Sequence, residues 1–351
     1  MKILFAPDYR EGIAYQQLLS EQLQDLGFEV EYLTHTRRIF PLYRGRKDFE
    51  IDALHLHWPE KYFQRKQDGW DWFRMRRYPI DLSMATQSIP LFLTAHNLLP
   101  HNRREEPGVF QNIQYTAQAA QAVFVHSDAA LQMMVETFAI PAEKCHIIPY
   151  GDHSVTMGGP LEKLNARKKL QLDPEEKISL VFGTVSPYKG SDEIVRWWKD
   201  HHDFGKLIVA GPVLSEEYAA QLCQIAQGAE NIELRISEKW LSDEDLHEWL
   251  SAVDCSIFNY REIFTSGAAA LARSFGVPLL IPSRLTAADL AEPHSHVFRF
   301  ESLEADFADR LRQALETPVD YEAGREWREM TSWPEVAAKT AAVYRSVFDA
   351  R

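Results

Sequence analysis

The stretch Phe258-Asn-Tyr-Arg-Glu-Ile-Phe-Thr-Ser-Gly-Ala-Ala-Ala-Leu-Ala-Arg-Ser-Phe-Gly-Val-Pro278, followed by Leu279-Leu280-Ile281-Pro282, reads as the end of a buried strand, a short loop, a small-residue helix and the next strand. Thr265, Ser266 and Gly267 stand where that helix begins. A helix start leaves backbone N–H groups unpaired and carries partial positive charge, so it suits phosphate. Ser266 and Gly267 permit close approach, and the alanine run packs closely on a sheet. Taken alone, the same residues describe an ordinary capped helix of an α/β protein. A second stretch shifts the balance: in Phe182-Gly-Thr-Val-Ser-Pro-Tyr-Lys-Gly190 another strand ends in a glycine-bearing loop that delivers Lys189 to the start of another helix.

Outward from these two stretches the chain alternates strand and helix, the pattern of parallel sheets covered on both faces. Strands are expected at 3–6, 29–33, 53–57, 91–96, 122–126 and 146–150, then at 179–183, 207–211, 232–236, 255–259, 278–281 and 297–300. Lys163–Pro174 is polar and lacks strand character, which places the interdomain connection there. A last helix follows Trp333-Pro334, whose proline suits a first turn. Ligands of doubly wound sheets sit beyond the carboxyl ends of the strands. That rule singles out Asp8, His55, His57, Glu60, His96, Asn97, His126, Gly183, Tyr260 and Arg261.

A chain of 351 residues accommodates two domains, and its net charge of −13 argues against broad nucleic-acid binding. Cys145, Cys223 and Cys255 lack metal-ligand spacing and read as buried free thiols of a reducing cytoplasm. No signal peptide and no apolar run of about 18 residues is visible, so the expected location is cytoplasmic or peripheral to a membrane.

The two opening stretches resemble the donor-binding half of GT-B glycosyltransferases, in particular the family-4-like clan of bacterial enzymes. The likeness rests on the loop from Gly183 to Lys189-Gly190 and on the segment from Tyr260 to Gly276-Val277-Pro278. It implies an α/β, GT-B architecture: two Rossmann-like doubly wound parallel-sheet domains facing across a cleft. Residues 1–165 would form the acceptor domain and 175–330 the nucleotide-sugar donor domain, with a helix in 331–351 packing back on the first. Gly183, Lys189, Tyr260, Arg261, Glu262, Thr265, Ser266 and Gly267 would bind the donor. Many relatives carry an arginine directly after the loop glycine; here Thr184 stands there, and Arg261 is the candidate replacement. No Asp-x-Asp lies near the expected nucleotide site, so no metal or other cofactor is expected beside the nucleotide-diphosphate sugar as co-substrate.

In the first half, Asp8-Tyr9-Arg10-Glu11-Gly12 resembles the acceptor-side loop of bacterial exopolysaccharide transferases, and also reads as a plain strand–helix turn. Alternation puts His55 and His57 on one face of a strand, just before Trp58-Pro59-Glu60. His96-Asn97 matches the "H-N" strand end of GT-B relatives, and His126-Ser127 reads as a helix cap. Retaining members of the clan carry two glutamates eight positions apart; here the second position is Leu271 and the first is Ile263, beside Glu262. This version of the loop resembles a side branch that includes xanthan-type β-mannosyltransferases. Inversion is therefore expected, with His96, Glu60, His57 and Asp8 as candidate general bases. A retaining enzyme using Glu262 and a non-catalytic sugar-nucleotide-binding protein are the competing readings. GDP-mannose is the first donor expected, with UDP-glucose and UDP-glucuronate open, and a lipid-linked saccharide is the acceptor.

Residues 37–78 concentrate base and aromatic rings: Arg37, Arg38, Arg44, Arg46, Lys47, Lys61, Arg65, Lys66, Arg74, Arg76 and Arg77 among Tyr43, Tyr62, Phe63, Trp70, Trp72, Phe73 and Tyr78. Basic side chains seek anionic lipid while Trp and Tyr settle among headgroups. A solvated charged face over an aromatic cluster explains the composition equally well.

Overall fold

Short apolar runs build the first sheet: β1 (Lys2–Ala6), β2 (Glu29–Tyr32), β3 (Ala53–Leu56), β4 (Leu91–Thr94), β5 (Ala122–Val125) and β6 (Cys145–Ile147). The computed structural model describes residues 1–11, 14–64, 69–100, 106–213, 215–285 and 296–351. All pairings are parallel, in the order β2-β1-β3-β4-β5-β6. Runs such as Ala-Val-Phe-Val in β5 are buried along their whole length, as parallel strands covered on both faces must be. Ile3 of β1 pairs with Val30 on one side and Ala53 on the other. The chain therefore reverses its lateral direction between β1 and β3, and the crevice of this unit opens at their carboxyl ends.

Helices α1 (Tyr15–Asp25), α2 (Pro41–Phe49), α3 (Asp71–Thr86), α4 (Pro107–Ala119) and α5 (Asp128–Phe138) connect these strands. By its contacts the chain divides into two units, Met1–Gly151 with Thr331–Arg351, and Asp152–Met330. Tyr15, Leu19 and Leu23 of α1 pack with Phe5, Phe92 and Phe124 of the sheet and with Val336, Ala337, Ala341 and Tyr344 from the end of the chain. Gly151 keeps φ at +95°, and a Cβ there would stand 2.6 Å from the Trp333 ring. His55 belongs to this core: its Nε2 lies 2.7 Å from Thr94 Oγ1 and its Nδ1 2.5 Å from the Tyr344 hydroxyl. It is a satisfied interior histidine.

The second unit begins with α6 (Lys163–Lys169) and β7 (Ile178–Phe182), and continues through α7 (Ser191–Lys199), β8 (Lys206–Pro212), α8 (Glu216–Ala226), β9 (Ile232–Ser237), α9 (Asp243–Ala252) and β10 (Cys255–Ile257). It ends with α10 (Gly267–Ser274), β11 (Leu279–Pro282), β12 (Val297–Phe300), α11 (Phe307–Glu316) and α12 (Tyr321–Met330). The closing helix α13 (Trp333–Asp349) belongs to the first unit. The second sheet is also parallel, in the order β12-β11-β10-β7-β8-β9, which puts its reversal between β7 and β10. Gly276, the glycine of Gly-Val-Pro, has φ +70° and would place a Cβ 2.0 Å from the Asp320 carbonyl oxygen. Close packing on the start of α12 thus fixes that glycine.

Lys163–Pro174, read from sequence as the interdomain connection, lies inside the second unit. Arg167 is buried there, its Nη2 2.8 Å from Asp254 Oδ2, and Lys163 Nζ is 2.6 Å from the other carboxylate oxygen. Asp254 also accepts from the Ile178 N–H at 2.7 Å, so the segment is clamped to the root of β7. Cys145 and Cys255 are buried as expected, but Cys223 is exposed, because α8 turns Tyr218 and Leu222 inward instead.

Candidate functional site

Each unit gathers its chemically capable side chains at the carboxyl end of its sheet, beside the reversal. In the second unit β7 runs out at Gly183, whose φ is +93°; a Cβ there would lie 3.0 Å from Lys189 Nζ and 3.6 Å from Ala268 Cβ. The absent side chain therefore leaves the main chain open between the lysine and the first turn of α10. Residues Pro187–Lys189 form one turn of 3-10 helix, closed by Gly190 with φ +63°, where a Cβ would meet the Asn259 carbonyl oxygen at 2.5 Å. The Arg261 N–H donates to the Tyr188 carbonyl at 2.9 Å, docking this loop on the end of β10.

Lys189 Nζ sits 5.0 Å from the centroid of the Tyr260 ring, and burial pulls its pKa down. Among the described residues no carboxylate pairs with it. A half-buried cation without a counter-charge carries a desolvation cost that an arriving anion offsets. Next to it Ser266 caps α10 by accepting from the Ala269 N–H at 3.1 Å, with the Tyr260 hydroxyl 3.4 Å from Ser266 Oγ. The hydroxyls of Thr265 and Ser186 are buried without a hydrogen-bond partner among the described residues. Gly267 opens the helix.

Arg261, the candidate second cation, is exposed and ion-paired. Its Nη2 lies 2.9 Å from Glu193 Oε1, and Asn259 donates to the other oxygen of the same carboxylate at 2.8 Å. Arg284 is better placed: it follows β11, is exposed, and donates from Nη2 to the Tyr260 carbonyl at 3.0 Å. Sequence reasoning missed it, although applying the strand-end rule to β11 finds it two residues past Pro282. Glu262 is exposed in the loop, and Leu271 is buried in the core on the inner side of α10.

In the first unit the loop after β1 is held by Gln16, whose Nε2 donates to the Pro7 carbonyl at 2.8 Å while its Oε1 accepts from the Tyr9 N–H at 2.8 Å. Asp8 is not a free base: Arg10 grips both carboxylate oxygens at 3.0 and 2.9 Å and holds its pKa below the ordinary value. The Arg10 guanidinium also lies 3.7 Å over the Tyr32 ring. Gly12 lies outside the described residues, as do His101, Arg65 and Lys66.

His57, His96 and His126 follow β3, β4 and β5 and come together under Tyr15 and Trp58. His57 Nδ1 is 3.3 Å from His96 Nε2, and His96 Nδ1 is 3.4 Å from His126 Nε2. The Trp58 ring stacks on His96 at 4.1 Å, and Tyr15 meets the same imidazole edge-on at 4.7 Å. Burial first, and neighbouring histidine charge second, push the pKa of His57 well below its ordinary value. Tyr9 packs on Trp58 at 4.6 Å, and half-buried Asn97 ends the β4 loop segment. Ser127 caps α5, accepting from the Ala130 N–H at 3.0 Å. Glu60, half-buried in the turn Pro59–Tyr62, has its pKa raised to about 7 by burial, against the smaller pull of its own N–H and of Lys61.

The basic-aromatic segment separates into two parts. Tyr62, Phe63 and Tyr78 are core, and Arg77 is buried, donating to the Arg38 and Tyr62 carbonyls at 3.0 and 3.1 Å. Arg74 pairs with Asp71 at 3.0 Å. Arg37, Arg38, Arg44, Lys47 and Lys61 are exposed, as are Trp70 at 60%, Trp72 at 61% and Phe73 at 40%, with Arg76 5.9 Å from the Trp72 ring. Among the described residues no helix is long and apolar enough to cross a membrane, and no three His, Cys, Asp or Glu side chains are grouped to hold a metal ion.

The family model for Glycosyltransferase Family 4 matches residues 14–151. No curated protein matches the chain in sequence. Solved structures resemble it from end to end. Sucrose-phosphate synthase from Thermosynechococcus elongatus superposes with a TM-score of 0.75 at 15% identity, over 100% of this chain and 99% of its own. HepE of Anabaena, solved in complex with UDP-glucose, gives 0.75 at 16% identity over 99% of this chain and 100% of its own. A glycosyltransferase from Rickettsia africae ESF-5 gives 0.70 at 13% identity over 99% and 98%. What is shared at these identities is the fold: this chain has the GT-B fold, with two Rossmann-like parallel-sheet units.

Proposed function

We propose that the chain is a glycosyltransferase that moves a sugar from a nucleotide-diphosphate donor to a saccharide acceptor. The observation that carries this reading is Lys189: a half-buried ammonium over the Tyr260 ring, beside Gly183 and the start of α10, without a carboxylate partner among the described residues. In the reaction the bond from the anomeric carbon to the phosphate oxygen breaks and a bond to the acceptor oxygen forms. The departing diphosphate gains negative charge, which fixed cations and N–H groups stabilise most as the bond breaks. Lys189 and the helix start serve that charge directly, and Arg284 adds a second cation at the rim. The acceptor hydroxyl gives its proton to a base, and Glu60, with a pKa of about 7, is matched to that task near neutral pH. The match of the first unit to Glycosyltransferase Family 4 and the UDP-glucose bound by a protein of the same fold support the reading.

The finer proposals are GDP-mannose as donor, a lipid-linked acceptor in exopolysaccharide synthesis, and inversion, since Leu271 stands where retaining relatives place their second glutamate. Thermal shift across GDP-mannose, UDP-glucose and UDP-glucuronate tests the donor, because a ligand bound only by the folded state raises the melting temperature with occupancy. No shift with any nucleotide diphosphate or sugar nucleotide would overturn the reading. Turnover is expected to persist in excess EDTA. An inverted anomeric centre in the product, read by NMR, separates this mechanism from a retaining one through Glu262.

For the acceptor side we propose that Trp72, Phe73 and Arg76 rest on an anionic membrane surface. Replacing all three by alanine is expected to weaken binding to anionic vesicles by about tenfold or more, since one basic charge alone contributes roughly 1 kcal/mol there. Arg77 is left unchanged because it holds the core. Binding of the intact chain should fall with added salt, as screening shortens charge reach to about 10 Å at 0.1 M. Equal binding to neutral and anionic vesicles would remove the electrostatic part.

A further inference from the structure

The three strand-end histidines of the first unit form a hydrogen-bonded row with only one direction open to it. His126 Nδ1 lies 2.9 Å from the Ile148 carbonyl oxygen. A carbonyl can only accept, so His126 carries its proton on Nδ1. With one proton per ring, His126 Nε2 is then a lone pair and accepts from His96 Nδ1 at 3.4 Å. The same step repeats: His96 Nε2 accepts from His57 Nδ1 at 3.3 Å. A main-chain carbonyl thus sets the tautomer of a histidine two rings away. The row ends at His57 Nε2, a lone pair that is buried and has no hydrogen-bond partner among the described residues. Burial also keeps His57 uncharged at neutral pH. Such an atom attracts a donor group and offers nothing to a carboxylate or phosphate.

We propose that His126 and His96 are positioning residues that lock His57 in its Nδ1–H form, so that His57 Nε2 accepts a hydrogen bond from a hydroxyl of the acceptor saccharide. The proposal rests on the glycosyl-transfer reading for the identity of the ligand, but the row and its polarity do not. Nε2 is covered by its neighbours, so a hydroxyl that bonds to it must displace side chains around the end of β3. The unmet lone pair is a standing cost that a bound hydroxyl removes. Tyr15 and Trp58, packed edge-on and face-on against His96, hold the middle ring so that both of its nitrogens stay in line.

Nitrogen-15 NMR of the intact chain, labelled at histidine, reads the tautomers directly. The signals of His57, His96 and His126 are assigned from single glutamine variants. The expected result is protonation at Nδ1 alone in all three rings at neutral pH. Protonation at Nε2 of any of them, or a charged ring in the row, would overturn the proposal whatever the enzyme's activity. His126→Phe removes the last acceptor and is expected to leave His57 as a tautomer mixture. His126→Gln, which returns an acceptor oxygen near the ε position, should restore the single form. With a donor and acceptor pair that the wild type turns over, His126→Phe is expected to lose about tenfold or more in kcat/KM for the acceptor, with donor affinity unchanged and the loss recovered by His126→Gln. A changed tautomer with unchanged acceptor kinetics would also overturn it. A wild-type protein with the expected tautomers but no turnover of any donor would instead overturn the glycosyl-transfer reading and leave the row intact. Should His126→Phe not fold, the wild-type tautomers still decide whether His57 Nε2 is the lone pair that the proposal needs.

Discussion

Lys189→Ala is expected to slow sugar transfer by roughly 10²–10³-fold, about 3–4 kcal/mol of transition-state stabilisation, while the folded chain loses no stability. The two halves of that result have one cause. Lys189 is held in a half-buried position that disfavours its charge, offset in part by the Tyr260 ring 5.0 Å away. A lysine whose pKa is lower folded than unfolded makes the fold less stable as pH drops through the folded value. At neutral pH its removal therefore leaves the melting temperature equal or higher. The charge is kept for what it does to a leaving diphosphate. Arg284→Ala, at an exposed guanidinium, should cost only about tenfold, since a solvated cation does less work than a half-buried one. Release of nucleoside diphosphate and a thermal melt measure both quantities; near-normal turnover in Lys189→Ala removes the residue from the site.

Glu60→Gln is expected to lower the transfer rate by roughly 10²–10⁴-fold, the usual loss for a general base. The same change should stabilise the fold at pH 8 by about 1–3 kcal/mol. Burial raises the pKa of Glu60 from 4.5 to about 7. A carboxyl that is more basic folded than unfolded binds extra protons in the native state. Its contribution is then most favourable below pH about 4.5 and is lost as pH climbs to about 7. Glutamine keeps the shape without that loss. Urea unfolding at pH 5 and pH 8 should show little difference between the two proteins at the lower pH and a clear gain for the variant at the higher. The rate of the wild type should rise with pH through a limb near 7. Unchanged activity in Glu60→Gln would move the base elsewhere.

The sheets were legible in the sequence because parallel strands buried on both faces leave continuous apolar runs, and the loops after them follow by rule. Gly183 and Lys189 in one loop, and Ser266 in another, lie in the second unit for that reason. What sequence does not carry is the partner of a charge. Arg261 meets Glu193 from 68 positions away, and His55 meets Tyr344 from 289 positions away. Both stand at strand ends and have partners that only the folded chain brings to them. Arg77 is the same case within the aromatic segment, counted with the surface bases until its carbonyl partners appear. Conversely, Arg284 follows β11, outside the two stretches that carry the likeness, and the polarity of the histidine row depends on a main-chain oxygen at Ile148 that no residue type announces.

The return of residues 331–351 to the first unit has a bearing on how the chain is made. On the ribosome the first sheet emerges before the second unit, yet the side chains that close its face, Val336, Ala337, Ala341 and Tyr344, are translated only after that unit. At roughly 5–20 residues per second, the 200 residues after Gly151 (351 − 151) take about 10–40 s to add. For that interval Phe5, Phe92 and Phe124 lack part of their cover and His55 lacks one of its two partners. The second unit is one uninterrupted stretch from 152 to 330 and is translated whole within that interval. Translation thus delivers the second unit while the unit begun before it still waits, a natural client for chaperones until helix α13 arrives.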